Sequence, residues 1–246
     1  MSRNFELLQQ LGFQEPVPAS IPVPEPSHRA VVAPRLVERV AAMAPDPHAA
    51  GIVKRLYLAS EGAAPQAVSF ISLERAQADT LCARVAENLA AQTTGSVCVV
   101  DANFESPLTH SHFSLSNNHG LAESLSSDLP IGSFGRRIAG TDLTVIPAGL
   151  GRPSASTERL ADRIRELREQ FDYTLIRTPL GADAADACFL ARLTGNAVLV
   201  IEANATRRTK AARVKALLEQ NGVAVLGAVL NNRTFPVPQS LYSKLF

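Results

Sequence analysis

Residues 68–101 read VSFISLERAQADTLCARVAENLAAQTTGSVCVVD, and this stretch decides the fold. The apolar run at 68–72 predicts a strand, the helical spacing that follows predicts a helix ending near residue 92, and the run at 97–101 predicts a second strand. In α/β proteins the turn from a strand into a helix holds phosphate, because the backbone N–H groups and the helix dipole favour an anion there. The stretch therefore predicts the frame of a nucleotide site.

The loop inside this frame lacks the residues that bind phosphates. A phosphate loop needs glycines, which let the backbone wrap around the phosphates, and a lysine, which neutralises them. Residues 73–80 read LERAQADT and contain neither. The sequence thus combines the strand–loop–helix frame of a nucleotide site with a loop that lacks the residues that bind phosphate.

Apolar runs continue the same pattern along the chain. Strands are predicted at 68–72, 97–101, 143–147, 173–177, 197–202 and 223–231. Nearly continuous apolar runs are typical of parallel strands covered on both faces, and helical patterns alternate with these runs. The alternation predicts an α/β fold with a doubly wound, mostly parallel sheet.

The sequence outside this pattern suggests a division of the chain. We expect a short N-terminal helix within 1–14, a proline-rich linker over 15–50, the α/β domain over 51–236 and a C-terminal tail over 237–246. Further short helices are predicted at 35–40 and 49–58.

Composition excludes several functional classes. The net charge of +1 over 246 residues gives no general field that would attract nucleic acid or an anionic membrane. No apolar run reaches the roughly 20 residues that span a bilayer, and the N-terminus lacks a secretory pattern, so we expect a cytoplasmic protein without a direct membrane span. Cys82, Cys98 and Cys188 are expected to be buried free thiols. His110 and His112 have no further ligands nearby, so no metal site is expected.

Four segments resemble one known family. They are the ungapped stretch 79–101, VCVVDANFESP at 97–107, FDYTLIRTP at 171–179, and the last two strands at 197–202 and 225–231. Together they resemble the bacterial tyrosine kinases of capsule and exopolysaccharide synthesis, which are P-loop proteins related to the cell-division and partition ATPases. The resemblance implies a P-loop NTPase-like, three-layer α/β/α domain. It also identifies residues 97–107 as the second Walker motif and 171–177 as the Walker B strand.

The departures from the family pattern fall on its chemical positions. Asp79 stands where the family has its phosphate-binding lysine, and Ala76 and Ala78 replace glycines. Arg177 stands where the Walker B strand ends in aspartate. The tail has one tyrosine, Tyr242, as a phosphoacceptor, where active kinases carry a cluster.

Three residues keep part of the pattern. Thr80 retains the hydroxyl that would contact magnesium, Asp101 is retained, and Asn103 replaces the second acidic residue. If nucleotide binding survives, these residues carry it. Alternatively, Thr80 and Asp101 are retained because they cap the ends of helices or strands, which says nothing about nucleotide.

Electrostatics decides how severe the departures are. Two unit charges about 4 Å apart interact by about 4 kcal/mol at an effective dielectric constant near 20. Replacing the lysine by Asp79 turns that attraction into repulsion, a change of about 8 kcal/mol before solvent relaxes it. Arg177 could contact a phosphate itself, or pair with Asp79 or Asp101 and close the site with protein charge.

Three functional hypotheses follow. The first is a non-catalytic regulatory or scaffold subunit without a cofactor, which docks on an inner-membrane polysaccharide co-polymerase or on an active kinase homologue. The second is an atypical tyrosine kinase or ATPase that binds ATP and magnesium. The third is a nucleotide-independent partition or positioning scaffold that acts as a homo-oligomer.

Overall fold

A computed structural model describes residues 35–37, 46–58, 63–74, 80–151, 157–178 and 185–232. The strands are β1 (Arg35–Val37), β2 (Ala67–Ser72), β3 (Val97–Asp101), β4 (Arg136–Ile138), β5 (Leu143–Ile146), β6 (Tyr173–Arg177), β7 (Asn196–Glu202) and β8 (Ala224–Asn231). The α-helices are α1 (Pro47–Val53), α2 (Leu81–Gln92), α3 (Thr109–His112), α4 (Leu121–Ser124), α5 (Thr157–Gln170), α6 (Ala185–Thr194) and α7 (Arg208–Gln220). A π-helical turn follows α1 at Lys54–Leu58, and a 3-10 turn lies at Ile131–Phe134.

The eight strands form one sheet in the order β1-β4-β5-β3-β6-β2-β7-β8. Neighbouring strands run parallel except β4 and β5, which are antiparallel. The expected doubly wound, mostly parallel α/β fold is therefore confirmed. The carboxyl ends of β3, β6, β2 and β7 meet along one edge of the sheet, which is where ligands bind in open α/β sheets.

Helices cover both faces of the sheet. Alternate residues of β3 belong to different clusters: Val97 and Val99 pack with α1 and α2, whereas Cys98 and Val100 pack with α5. The same alternation in β2 sends Ile71 into a cluster with α6 and α7. Because both faces are buried, the strands read as continuous apolar runs.

Helix α1 is anchored by a cap and an ion pair. The Asp46 carboxylate accepts the N–H of His48 at 2.9 Å, and Pro47 occupies the first turn, where its missing N–H costs no hydrogen bond. The same carboxylate accepts Arg84 Nη1 at 2.6 Å and so ties α1 to α2. Next to α1, the ring of Tyr57 packs edge-on against Tyr173 with centroids 5.5 Å apart.

The six predicted strands all occur, with ends that differ by about one residue. The helix predicted at 49–58 is also confirmed, although it begins at Pro47 inside the range expected to be linker. The helix predicted at 35–40 is wrong, because Arg35–Val37 pairs with β4 as a strand. The domain limits themselves stay predictions, and the N-terminal helix within 1–14 lies outside the described residues.

The three cysteines are buried and free, as expected. Among the described residues, no group of three or more His, Cys, Asp or Glu side chains is placed to hold a metal. In the same part of the chain, no helix is both long enough and apolar enough to cross a membrane.

Candidate functional site

The candidate site lies where β3 and β6 end side by side. Asp101 closes β3, Arg177 closes β6, and the two residues are opposite each other in the parallel register. Arg177 Nη1 donates to Asp101 Oδ1 at 2.9 Å. Asp101 is fully buried and Arg177 is 9% exposed, so the two charges form a buried ion pair.

Asp101 has no acceptor capacity to spare. Its Oδ1 accepts Arg177 and the N–H of Asn103 at 3.1 Å, and its Oδ2 accepts the N–H groups of Leu108 and Thr109, both at 2.9 Å. An ionised carboxylate offers about four lone-pair sites, and all of them are used here. Since Thr109 begins α3, the carboxylate also caps that helix.

The loop after β3 folds over the guanidinium. Arg177 Nη1 donates to the carbonyl of Ser106 at 3.0 Å, and the side-chain oxygen of Asn103 accepts the Ser106 N–H at 3.1 Å. Asn103 is 2% exposed. The Asn103 amide therefore holds the loop in place around the ion pair.

Thr80 and Asp101 differ in their capping roles. Asp101 caps a helix as expected, but the Thr80 side chain makes no capping hydrogen bond at the start of α2. Only the backbone carbonyl of Thr80 joins the helix, by accepting the Arg84 N–H at 3.0 Å. The capping explanation for the retained threonine is therefore wrong.

Four other predicted positions, Ala76, Ala78, Asp79 and Tyr242, lie outside the described residues. An ion pair between Arg177 and Asp79 therefore stays untested. The partner of Arg177 within the described part of the chain is Asp101.

A lysine that the sequence did not single out reaches the start of the loop. Lys210 of α7 donates its Nζ to the carbonyl of Leu73 and to Glu74 Oε1, the latter at 3.0 Å. Leu73 and Glu74 directly follow β2 and open the segment that resembles the phosphate loop. The contact joins residues 136 positions apart, so no local pattern could have indicated it.

Comparison with known proteins defines the relatives of the chain. No family model matches the sequence. The tyrosine-protein kinase homologue CapB of Staphylococcus aureus is 30% identical over 156 residues, which cover 62% of this chain and 68% of CapB. Tyrosine-protein kinase Etk of Escherichia coli K12 is 29% identical over 145 residues, which cover 57% of this chain but only 20% of Etk.

Solved structures with a similar fold include one from the same group of proteins and one cell-division ATPase. The chimerical protein CapA2B2 superposes with a TM-score of 0.68 at 25% identity, covering 76% of this chain and 84% of that protein. The septum site-determining protein MinD of Pyrococcus horikoshii, solved with Mg-ADP, has a TM-score of 0.58 at 18% identity and covers 74% of this chain and 77% of MinD. The second likeness shows the fold alone.

The sheet order and these neighbours define the class: the chain is a P-loop NTPase-like α/β protein. Within that class, it belongs to the family of bacterial tyrosine-protein kinases that includes CapB.

Proposed function

We propose that this chain is a non-catalytic member of its family, which acts as a regulatory or scaffold subunit of exopolysaccharide synthesis or export. The buried pair of Asp101 and Arg177 is the observation that carries this proposal. It puts a permanent cation where the family pattern has a carboxylate, and it uses every acceptor site of the carboxylate that remains.

The chemistry of phosphoryl transfer explains why this pair matters. Catalysis of that reaction depends on positioning and on neutralising phosphate charge, chiefly with magnesium and a lysine. Magnesium is held by oxygen ligands, and a guanidinium in their place repels it. Asp79 would add a second repulsion, directed at the phosphates themselves.

A non-catalytic subunit acts by binding other proteins. The proposed partners are an inner-membrane polysaccharide co-polymerase or an active kinase homologue, which would hold this chain on the cytoplasmic side of the membrane. Support comes from the family relationship with CapB and from the likeness to the chimerical protein CapA2B2. Tyr242 is the proposed phosphoacceptor for an active kinase.

Isothermal titration calorimetry with magnesium and ATP tests the absence of nucleotide binding. We expect no saturable heat at millimolar ATP for the full chain. The kinase domain of E. coli Etk, titrated in the same buffer, is the positive control. A dissociation constant in the micromolar range for this chain would reject the proposal.

One observation favours residual ATP binding as a second candidate function. The Lys210 ammonium lies at the start of the loop, where it could neutralise a phosphate if it left Glu74. ATP binding that is present in the wild type, lost in Lys210→Met and retained in Lys215→Met would establish this alternative. Lys215 is the matched control, because it lies on the same helix and pairs with Glu219 at its exposed surface.

A further inference from the structure

The short helix α3 begins at the buried carboxylate of the candidate site. The N–H of Thr109, its first residue, and the N–H of the preceding Leu108 both donate to Asp101 Oδ2 at 2.9 Å. A helix of four residues is not stable by itself. Contacts with the rest of the chain must therefore hold α3 in place, and with it these two hydrogen bonds to Asp101.

The other end of α3 is held by a side chain of α2. His112, the last residue of α3, has its Nε2 at 3.0 Å from Glu87 Oε2. The side chains of His112 and Glu87 are only 7% and 18% exposed, so water competes weakly for this contact. Because an ionised carboxylate can only accept, Nε2 carries the hydrogen and donates it to Glu87.

The residue after α3 is attached to the core independently of this contact. Phe113 is buried in the cluster that includes residues of α1 and α2. Its ring also packs edge-on against the imidazole of His112, with centroids 4.8 Å apart. Loss of the hydrogen bond between His112 and Glu87 would therefore loosen α3 without unfolding the domain.

We propose that His112 and Glu87 form a latch that keeps the candidate site closed. While these two side chains are bonded, α3 stays in place and the amides at its start occupy Asp101 Oδ2. When they separate, α3 loosens and the acceptor positions of Oδ2 become available to another donor or to a cation. His112 and Glu87 are thus positioning residues, which act on Asp101 through α3.

The latch also connects Asp101 to the loop that resembles a phosphate loop. α2 begins at Leu81, directly after that loop, and Glu87 lies about 9 Å further along the same helix at a rise of about 1.5 Å per residue. A partner that shifts the start of α2 would therefore move Glu87 and pull on His112. This inference deepens the proposed function and rests on it, because it gives a regulatory subunit a way to open and close its site.

Hydrogen exchange in the full chain, followed by NMR, tests the latch. The amides of Leu108 and Thr109 should be protected in the wild type, because both donate to Asp101. His112→Ala removes the donor to Glu87, and we expect exchange at both amides to become tenfold faster or more. Unchanged exchange at Val99 in β3 would show that the fold is intact.

Two further variants separate the hydrogen bond from packing of the ring. His112→Gln places an amide nitrogen near the position of Nε2 and can still donate to Glu87, so both amides should stay protected to within a few fold. His110→Ala is the matched control, because His110 lies on the same helix and its Nε2 contacts Ser111 of the same turn. This control should leave exchange at both amides unchanged.

The outcomes distinguish the latch from the proposed function. Equal exchange of Leu108 and Thr109 in the wild type and in His112→Ala would reject the latch. Equally fast exchange in His112→Gln and His112→Ala would also reject it, because packing of the ring would then hold α3. Calorimetry of the wild type with ATP is a separate measurement, and ATP binding there would reject the proposed function whatever the exchange rates are.

Discussion

At the scale of single residues, the buried charge pair makes the strongest prediction. Arg177→Ala leaves the Asp101 carboxylate buried without its cation, which typically costs about 3–5 kcal/mol of folding stability. For a domain of this size, we expect the thermal midpoint to fall by on the order of 10 °C. Thermal unfolding followed by circular dichroism measures the change.

The control for this variant is Arg165→Ala. Arg165 pairs with Asp162 on the exposed side of α5, and exposed pairs of this kind contribute about 0.2–1 kcal/mol. If the Arg177 and Arg165 variants melt at the same temperature, the pair with Asp101 has no structural role.

Cys188 gives a prediction about pH. Burial raises the pKa of its thiol to about 11, with a smaller opposing effect from Arg192. Since only the thiolate reacts, alkylation of Cys188 by iodoacetamide near pH 8 should be about a hundredfold slower in the folded protein than in urea. The rate should rise between about pH 9 and pH 11.

The same shift affects stability with a definite sign. The folded state holds the proton on Cys188 more tightly than the unfolded chain, so this contribution is complete at neutral pH. It is lost as the pH rises toward about 11.

Mass spectrometry of the Cys188 peptide measures the rate of alkylation by iodoacetamide. Equal alkylation rates with and without urea would contradict the prediction that burial slows the reaction of Cys188.

At the scale of elements, Arg163 joins α5 to the last residue of α4 and to the segment that follows it. Its Nε and Nη2 donate to the carbonyl of Ser124 at 3.0 and 2.7 Å, and Nη2 also donates to Ser127. Nη1 binds Glu166 at 2.6 Å, and Glu166 in turn accepts the Ile131 N–H at 2.8 Å. One buried side chain therefore donates to two backbone carbonyls and also positions Glu166, which accepts the Ile131 N–H.

Replacing Arg163 should lower the free energy of unfolding even though helix α5 remains. Arg163→Met keeps the length of the side chain but leaves the buried Ser124 carbonyl without these donors, so we expect a loss of about 1–3 kcal/mol in a urea melt. Arg168→Met is the control, since Arg168 makes one long, exposed contact of 3.4 Å with Leu193. Equal midpoints for the two variants would contradict this role.

The sequence predicted the elements whose pattern is local. The interior strands are continuous apolar runs, so period and composition were enough to place them. β4 was missed, because a three-residue strand that begins with two arginines carries no such pattern. Arg35–Val37 was expected to be helical, and its strand conformation depends on pairing with β4, about a hundred residues away.

At the scale of the whole molecule, the candidate site was predictable in its parts and not in their arrangement. The apolar runs put Asp101 and Arg177 at strand ends, but only the sheet order makes β3 and β6 neighbours. Pairing with Asp79 or with Asp101 therefore stayed open at the level of sequence. Lys210 could not be anticipated, because α7 reaches the start of the loop only in the folded chain.

The arrangement also predicts that one substitution cannot rebuild the nucleotide site. Asp79→Lys puts a cation at the position that the family resemblance assigns to a lysine, but Arg177 would still stand at the position that the resemblance assigns to a carboxylate, and Asp101 remains fully hydrogen-bonded. We expect this variant to show no ATP binding by calorimetry with magnesium. A micromolar dissociation constant for Asp79→Lys alone would show that the ion pair does not block the site.

The fully satisfied carboxylate of Asp101 has a consequence for the history of the lineage. Mutations arise one at a time, so a descendant that exchanged either member of the pair would first carry a buried charge without its partner. Such a protein would lose a large part of the roughly 5–15 kcal/mol that keeps a domain folded. A single change at either position is therefore expected to be disfavoured while the other residue stays as it is. This coupling makes the present arrangement of the two strand ends hard to reverse, whatever selection favours later.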